Sequence, residues 1–401
     1  MPRKKKVAED PGNYSGKKMM DLDETRRRKK KTAEESGYYS GKRIMDIDAV
    51  YRIIIGQRAN GKTYFWCREE LENFFLYGLP SVYFRRLDEM IKPKIIQNLF
   101  DPHLQYIEEK SGGEYNAIVY RANAWYMCRK EPDKAGNMEI VYKQEKPFCY
   151  SAAISTVETT KGVDHGEIWS VCFDEFITRS YYLQNEFVMF QNLISSWVRD
   201  RPGVEIFMLA NTVSKFCPYF KEMGLRHVEK QEPGTIDIYE IGKSGNSIAV
   251  EVCAESETVK KKVSKYFAFD NPQLEMITSG AWEMALYRHA PPELSQYPIM
   301  LRFFVEIEER LIQGNVYKYQ GYPIIFFHPK TTEIERPQKE IIYRNDFFDG
   351  NPLHQRDVKT CFCRAQSIIY DLIRTQKTFY ADNDTGEAVA AWLRPQRLAA
   401  R

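Results

Sequence analysis

From residue 51 onward the chain alternates short apolar runs with amphipathic stretches. Residues 51–55 form a β-branched run, which predicts a buried strand. Residues 62–77 place Phe65, Leu71, Phe74 and Phe75 at helical spacing, and Gly78 follows as a C-cap. A second strand is predicted over 81–84, ending in Arg85-Arg86, and a polar, β-rich stretch over 100–150. Residues 168–173 (IWSVCF) predict another buried strand, 183–198 a helix and 204–209 one more strand. Strands alternating with helices imply a parallel sheet. After about residue 220 the pattern changes. Residues 221–295 are polar, and 299–328 predict antiparallel strands with turns at Gln313-Gly314-Asn315 and Gln320-Gly321. Helices are predicted over 359–375 and 385–394.

The first 48 residues break this pattern. They hold few large apolar residues, and 14 Lys/Arg stand against 9 Asp/Glu, with runs at 2–6 (PRKKK) and 26–31 (RRRKKK). Such runs are usually solvated arms. One detail goes beyond that. The segment YSGKKMMDLD at 14–23 recurs as YSGKRIMDID at 39–48. Two copies are too few for a solenoid. The second leads into the first strand and is expected to pack on the core. The first is expected to dock on an equivalent groove of a neighbouring subunit. Outside the tail the balance is 44 Lys/Arg to 46 Asp/Glu, so the folded body is not a bulk polycation. Any nucleic-acid contact must come from local patches.

Composition narrows the remaining classes. The 401 residues suffice for two or three domains. No apolar run approaches 18 residues, so no membrane span is expected, and the N-terminus lacks the apolar stretch of a signal peptide. Eight scattered cysteines show no zinc spacing and read as reduced thiols.

Residues 56–63, GQRANGKT, match GxxxxGK[ST] between a predicted strand and a predicted helix, the context that makes the motif specific. Gly56 and Gly61 let the backbone curl so that amide N–H groups face phosphate oxygens, and the helix N-terminus adds a favourable dipole. Lys62 reaches the β- and γ-phosphates, and the Thr63 hydroxyl ligates Mg²⁺. Arg58 and Asn60 complete the loop. The second element a phosphate loop needs is a carboxylate at a neighbouring strand tip, and Asp174-Glu175 supplies it. Asp174 is placed on the metal and Glu175 on the attacking water. The expected cofactors are therefore ATP and Mg²⁺. Asn211, after the next strand, either contacts the γ-phosphate or begins a turn. Arg199, in WVRDRPG, either reaches a neighbour's γ-phosphate or pairs with Asp200; Arg201 and Lys161 are further candidates for such a trans-acting role.

These residues together resemble the DNA-encapsidation (genome-packaging) ATPases of small podovirus-type tailed phages. The similarity rests on YYSGKRIMDIDAVYRIII, GQRANGKT with its internal Arg58, VYFRR, VCFDEF, the spacing to VRDR, and MLAN followed by CPYF. It covers about 45–225 specifically. The resemblance implies an α/β fold: an ASCE-type P-loop ATPase domain (with an additional strand and a catalytic glutamate) built on a central, mostly parallel sheet. A small linker subdomain and a C-terminal α+β, degenerate RNase H-like domain are expected to follow. The expected division is a basic tail 1–48, an ATPase domain 49–225, a linker or lid 226–295 and the nuclease-inactive C-terminal domain 296–401.

By motif position the resemblance makes Arg199 the trans-acting finger and gives Arg58 a role in sensing phosphate or a neighbouring subunit. It also implies a homomeric ring, usually a pentamer, at the portal vertex of a prohead in the host cytoplasm. Its partners would be double-stranded DNA, the portal (connector) protein and, in some relatives, a structural packaging RNA. Lys260, Lys261, Lys262 and Lys265 either touch DNA phosphates or lie on a solvated helix face. Glu306, Glu308, Asp346 and Asp349 do not assemble from sequence into a two-metal set. Two other readings stay open: a large terminase or other ASCE translocase or helicase, and a nucleotide-gated scaffold without processive turnover.

Overall fold

The computed structural model describes residues 38–156, 166–178, 182–199, 201, 203–214, 217–242, 245–254, 256, 287–307, 310–344 and 349–394. The chain enters through a one-turn helix α1 (Lys42–Met45), then β1 (Tyr51–Gly56), α2 (Lys62–Tyr77) and β2 (Ser81–Arg85). Two short helices, α3 (Pro93–Ile96) and α4 (Leu104–Lys110), lead to β3 (Ala117–Arg121), β4 (Ala124–Pro132) and β5 (Met138–Lys143). Next come β6 (Cys149–Ala153), β7 (Ser170–Asp174), α5 (Glu186–Val198), β8 (Glu205–Asn211) and α6 (Pro218–Glu222). The hairpin β9 (Thr235–Glu240) and β10 (Ser247–Val252) closes this part.

These ten strands form one sheet in the order β3-β4-β6-β2-β7-β8-β1-β10-β9, with β5 paired to β4. The six strands from β6 to β10 run parallel, and the antiparallel strands sit at the two margins. The expected α/β fold with a mostly parallel sheet is found. β8 lies between the phosphate-loop strand β1 and the Asp-Glu strand β7, which is the additional strand the fold reading called for.

Both faces of the sheet are covered, so its central strands are buried throughout. Ile53 and Ile55 join Phe84, Phe173, Phe190 and Trp197 on one face. Ile54 joins Trp66, Tyr83, Phe100, Trp125 and Phe207 on the other. This is why β1 reads as an unbroken isoleucine run rather than an alternation.

A second, six-stranded sheet comprises β11 (Ile299–Ile307), β12 (Arg310–Tyr319), β13 (Tyr322–Pro329), β14 (Ile341–Arg344), β15 (His354–Gln355) and β16 (Thr378–Tyr380). Its order is β15-β14-β11-β12-β13-β16. The first three strands form an antiparallel meander, and β14 and β15 add parallel to β11. The helices α7 (Arg364–Arg374) and α8 (Asn383–Leu393) supply Ile369, Leu372, Val389 and Trp392 to its core.

Three expectations need correction. Residues 93–110, within and just before the stretch read as β-rich, form short helices. β9 and β10 fall in residues read as linker, yet β10 pairs along β1 from Tyr51 to Ile55, so the sheet extends past the expected boundary at 225. Gln313-Gly314-Asn315 is no turn but the middle of β12. A Cβ on Gly314 would stand 2.2 Å from the Phe303 ring, so glycine is there for close approach. The turn at Gln320-Gly321 is present, both residues left-handed (φ 48° and 88°).

Candidate active site

The parallel register brings three strand tips together at one edge of the sheet. Gly56 ends β1 opposite Asn211, the last residue of β8, and Asp174 ends β7 opposite Leu209. The loop after β1 then turns sharply. Ala59 (φ 58°) and Gly61 (φ 98°) are left-handed, and a Cβ on Gly56 would lie 2.8 Å from Cys253 and from the Asn60 amide. Glycine at 56 therefore serves close packing, and at 61 the backbone angle itself.

Lys62 opens α2 with its ammonium buried. Its Nζ donates to Gly56 O (3.1 Å), Gln57 O (2.9 Å), Asn60 Oδ1 (3.0 Å) and Asn211 Oδ1 (3.2 Å). Burial pushes the amine below its usual value, while Cys253 and Asp174 pull the other way. The Thr63 hydroxyl donates to Asp174 Oδ2 (3.0 Å) across 111 residues of sequence. The same oxygen accepts from Tyr83 OH (2.8 Å), whose phenol is pushed well up by burial and then by Asp174.

Glu175 follows in the left-handed region (φ 57°), its N–H returned to Asp174 Oδ1 (2.9 Å). Its carboxylate is half exposed and accepts from Arg85 Nη2 (2.5 Å). Burial works against the Arg85 guanidinium, but Tyr83, Glu175 and Asp174 more than offset it, so its affinity for the proton rises.

The donor set suits a magnesium nucleotide. A hydroxyl and a carboxylate oxygen meet at 3.0 Å, a hard-oxygen pair, beside a curled run of amides and a buried ammonium. The Gln57 amide is buried with neither polar atom partnered, an orphan a polar ligand would satisfy.

The other sequence candidates are more dispersed. Arg58 is exposed at the loop's outer rim. Arg199 is the C-cap of α5, left-handed (φ 48°), and Arg201 donates through Nη1 to Gly166 O. Lys161, Lys260, Lys261, Lys262 and Lys265 lie outside the described residues, as does the 14–23 copy of the tail segment.

The 39–48 copy packs directly on the phosphate loop. Tyr39 N–H donates to Asn60 O (2.8 Å), and Tyr39 OH donates to Glu251 Oε2 (2.6 Å) on β10. Arg52 on β1 clasps the turn that follows, donating to Ala49 O (2.9 Å) and Ile47 O (3.0 Å).

The geometry decides the fold of the site; relatives decide its kinship. Residues 131–263 match the model of the podovirus DNA encapsidation protein (Gp16) family. Over this stretch the chain is similar to the podovirus DNA encapsidation proteins. The DNA packaging proteins of Bacillus phages phi29 and PZA are each 26% identical to it over 176 residues, 43% of this chain and 45% of theirs. The match thus spans about half the length of these relatives. The Phi-28 gp11 DNA packaging motor aligns over 91% of this chain and 100% of its own, at TM-score 0.51 and 16% identity. The bacteriophage Phi-29 viral genome packaging motor assembly aligns over 90% and 99%, at TM-score 0.54 and 15% identity. At such identities the structural likeness speaks for the fold. The encapsidation-family match contains Asp174, Glu175, Arg199 and Asn211, while the GQRANGKT loop lies upstream of it.

Tyr83, Arg85, Arg86 and Glu186 were given no role from sequence. The signal for the arginines was present: a strand ending in two arginines whose neighbour ends in Asp-Glu. Glu186 gave no such sign, since an acidic residue in the first turn of a helix is ordinary.

Proposed function

We propose that this chain is an ATP-driven motor that moves double-stranded DNA into a preformed prohead, working as a homomeric ring at the portal vertex in the host cytoplasm. The observation that carries it is the convergence of Lys62, Thr63, Asp174 and Asn211 from three adjacent strand tips. It occurs in a chain similar to podovirus encapsidation proteins.

Each residue then has a task. The amides of 57–62 and the Lys62 ammonium bind the phosphates. Thr63 and Asp174 hold Mg²⁺, which when bound would neutralise charge developing on the transferred phosphoryl group. Tyr83 keeps Asp174 turned toward Thr63. Glu175 orients the attacking water and takes its proton. With one oxygen held by Arg85, that carboxylate must leave the guanidinium before it can act. Asn211 reports the state of the γ-phosphate along β8, and Arg199 is offered to the adjoining subunit. In the second sheet Glu306 is bound by Arg344 (2.7 Å) and Asp349 by His354 (2.5 Å), which supports a scaffold role over that of a second catalytic centre.

The test is turnover. Purified chain with linear double-stranded DNA should hydrolyse ATP, and Glu175→Gln should lower kcat by roughly 10² to 10⁴ while nucleotide still binds. Turnover indifferent to that substitution would sink the motor reading. Mg²⁺- or Mn²⁺-dependent DNA cleavage lost on substituting the C-terminal carboxylates would favour a terminase instead.

A further inference from the structure

One buried ion pair lies beside the catalytic carboxylate and takes no part in the chemistry so far. Arg86, 4% exposed, donates through Nε to both carboxylate oxygens of Glu186 (3.0 and 2.8 Å). Its two remaining nitrogens donate to backbone carbonyls: Nη1 to Glu175 O (3.3 Å) and Nη2 to Phe176 O (2.6 Å). Glu186, also 4% exposed, is the first residue of α5. Its Oε2 accepts from Leu183 N (2.7 Å), and its Oε1 accepts from Tyr219 OH (3.0 Å) on α6. The opposite end of α5, 13 residues on, is capped by Arg199.

We infer that Arg86 and Glu186 are positioning residues that lock the Glu175 backbone to the base of α5, so that a subunit's catalytic carboxylate and the Arg199 it offers its neighbour are set together. The inference rests on the proposed ring motor and its trans-acting Arg199. Three physical points carry it. A left-handed glutamate costs of order 1 kcal/mol or more and persists only where its surroundings hold it. Arg86 holds both the carbonyl of Glu175 and the next one. A buried pair of this kind is expensive to desolvate, and a core of this size has cheaper ways to fill the space. A helix of 13 residues is also a stiff rod about 20 Å long, so fixing its first turn fixes the direction from which Arg199 leaves. Tyr219 extends the clamp to α6, so the chain segments that follow β2, β7 and β8 meet at one carboxylate.

Mixed rings of full-length chains test this. The control combines Glu175→Gln with Arg199→Ala subunits. The first kind supplies intact fingers and the second intact carboxylates, so the mixture should hydrolyse ATP faster than either variant alone. Arg86→Lys alone should lose roughly 10- to 100-fold in kcat, the scale of an ångström-level misplacement, with KM for ATP little changed. Mixed with Arg199→Ala it should show no recovery, because its own carboxylate and its finger are displaced together. Recovery equal to the control would overturn the inference, leaving Arg86 to act on Glu175 alone, and unchanged kcat in Arg86→Lys would overturn it outright. Failure of the control mixture would instead remove the trans role of Arg199, and the inference with it. If Arg86→Lys melts below the assay temperature, Tyr219→Phe takes its place. That change removes one hydrogen bond to Glu186, and a smaller loss with the same absence of recovery is expected.

Discussion

Glu70 lies on α2, the helix that carries Lys62, and is 3% exposed. Burial pushes its carboxyl from an ordinary 4.5 up to about 8. The folded chain therefore holds this proton more tightly than the unfolded chain does. The resulting contribution to stability is full below about pH 4.5 and is lost as pH rises to about 8, worth of order a few kcal/mol. Thermal melts of Glu70→Gln should lack that slope, and the variant should gain on the parent as pH rises from 5 to 8. Arg85 occupies the carboxylate of Glu175, the proposed general base. Arg85→Ala is expected to raise turnover without DNA and to weaken any stimulation by DNA. Equal DNA stimulation in parent and variant would show that the pair has no restraining role.

The elements most legible in the sequence are those whose signals are local. Helix α2 runs from Lys62 to Tyr77 and ends on Gly78 (φ 69°), as spacing and the glycine indicated. β1 and β7 announce themselves as apolar runs because both their faces are buried. β9 and β10 were not legible. Their pattern is only six residues long, and what places β10 is pairing with β1 from about 200 residues away. Gly314 misled because a glycine beside Asn looks like a turn, whereas the cause is an aromatic ring brought over it by β11. At the site, the hydrogen-bonded pair Thr63 and Asp174 could be named from motifs, but the Tyr83–Arg85–Arg86–Glu186 arrangement needed the strand order. The lead-in gives an element-scale prediction. Gly41 is left-handed (φ 66°), and a Cβ there would stand 2.0 Å from the Phe65 ring. Gly41→Ala and Gly314→Ala should each cost about 1–3 kcal/mol in denaturant melts. Only Gly41→Ala should also weaken ATP binding, because only that segment hydrogen-bonds the phosphate loop through Tyr39.

At the scale of the whole molecule, the ten-stranded sheet carries the candidate site at one end of its row of parallel strands, and the second sheet stands apart in sequence and in core. No described helix is long and apolar enough to cross a membrane. The body outside the tail is nearly neutral, so the proposed motor would grip DNA at a few phosphates. DNA-stimulated hydrolysis should therefore fall with added salt and be nearly indifferent to base sequence. The most direct test of the account is ATP-dependent uptake of linear double-stranded DNA into proheads, scored as DNA protected from added nuclease. The account predicts protection with the parent chain and ATP, none with Lys62→Ala or Glu175→Gln, and none without ATP. Protection that persists in Glu175→Gln would contradict it.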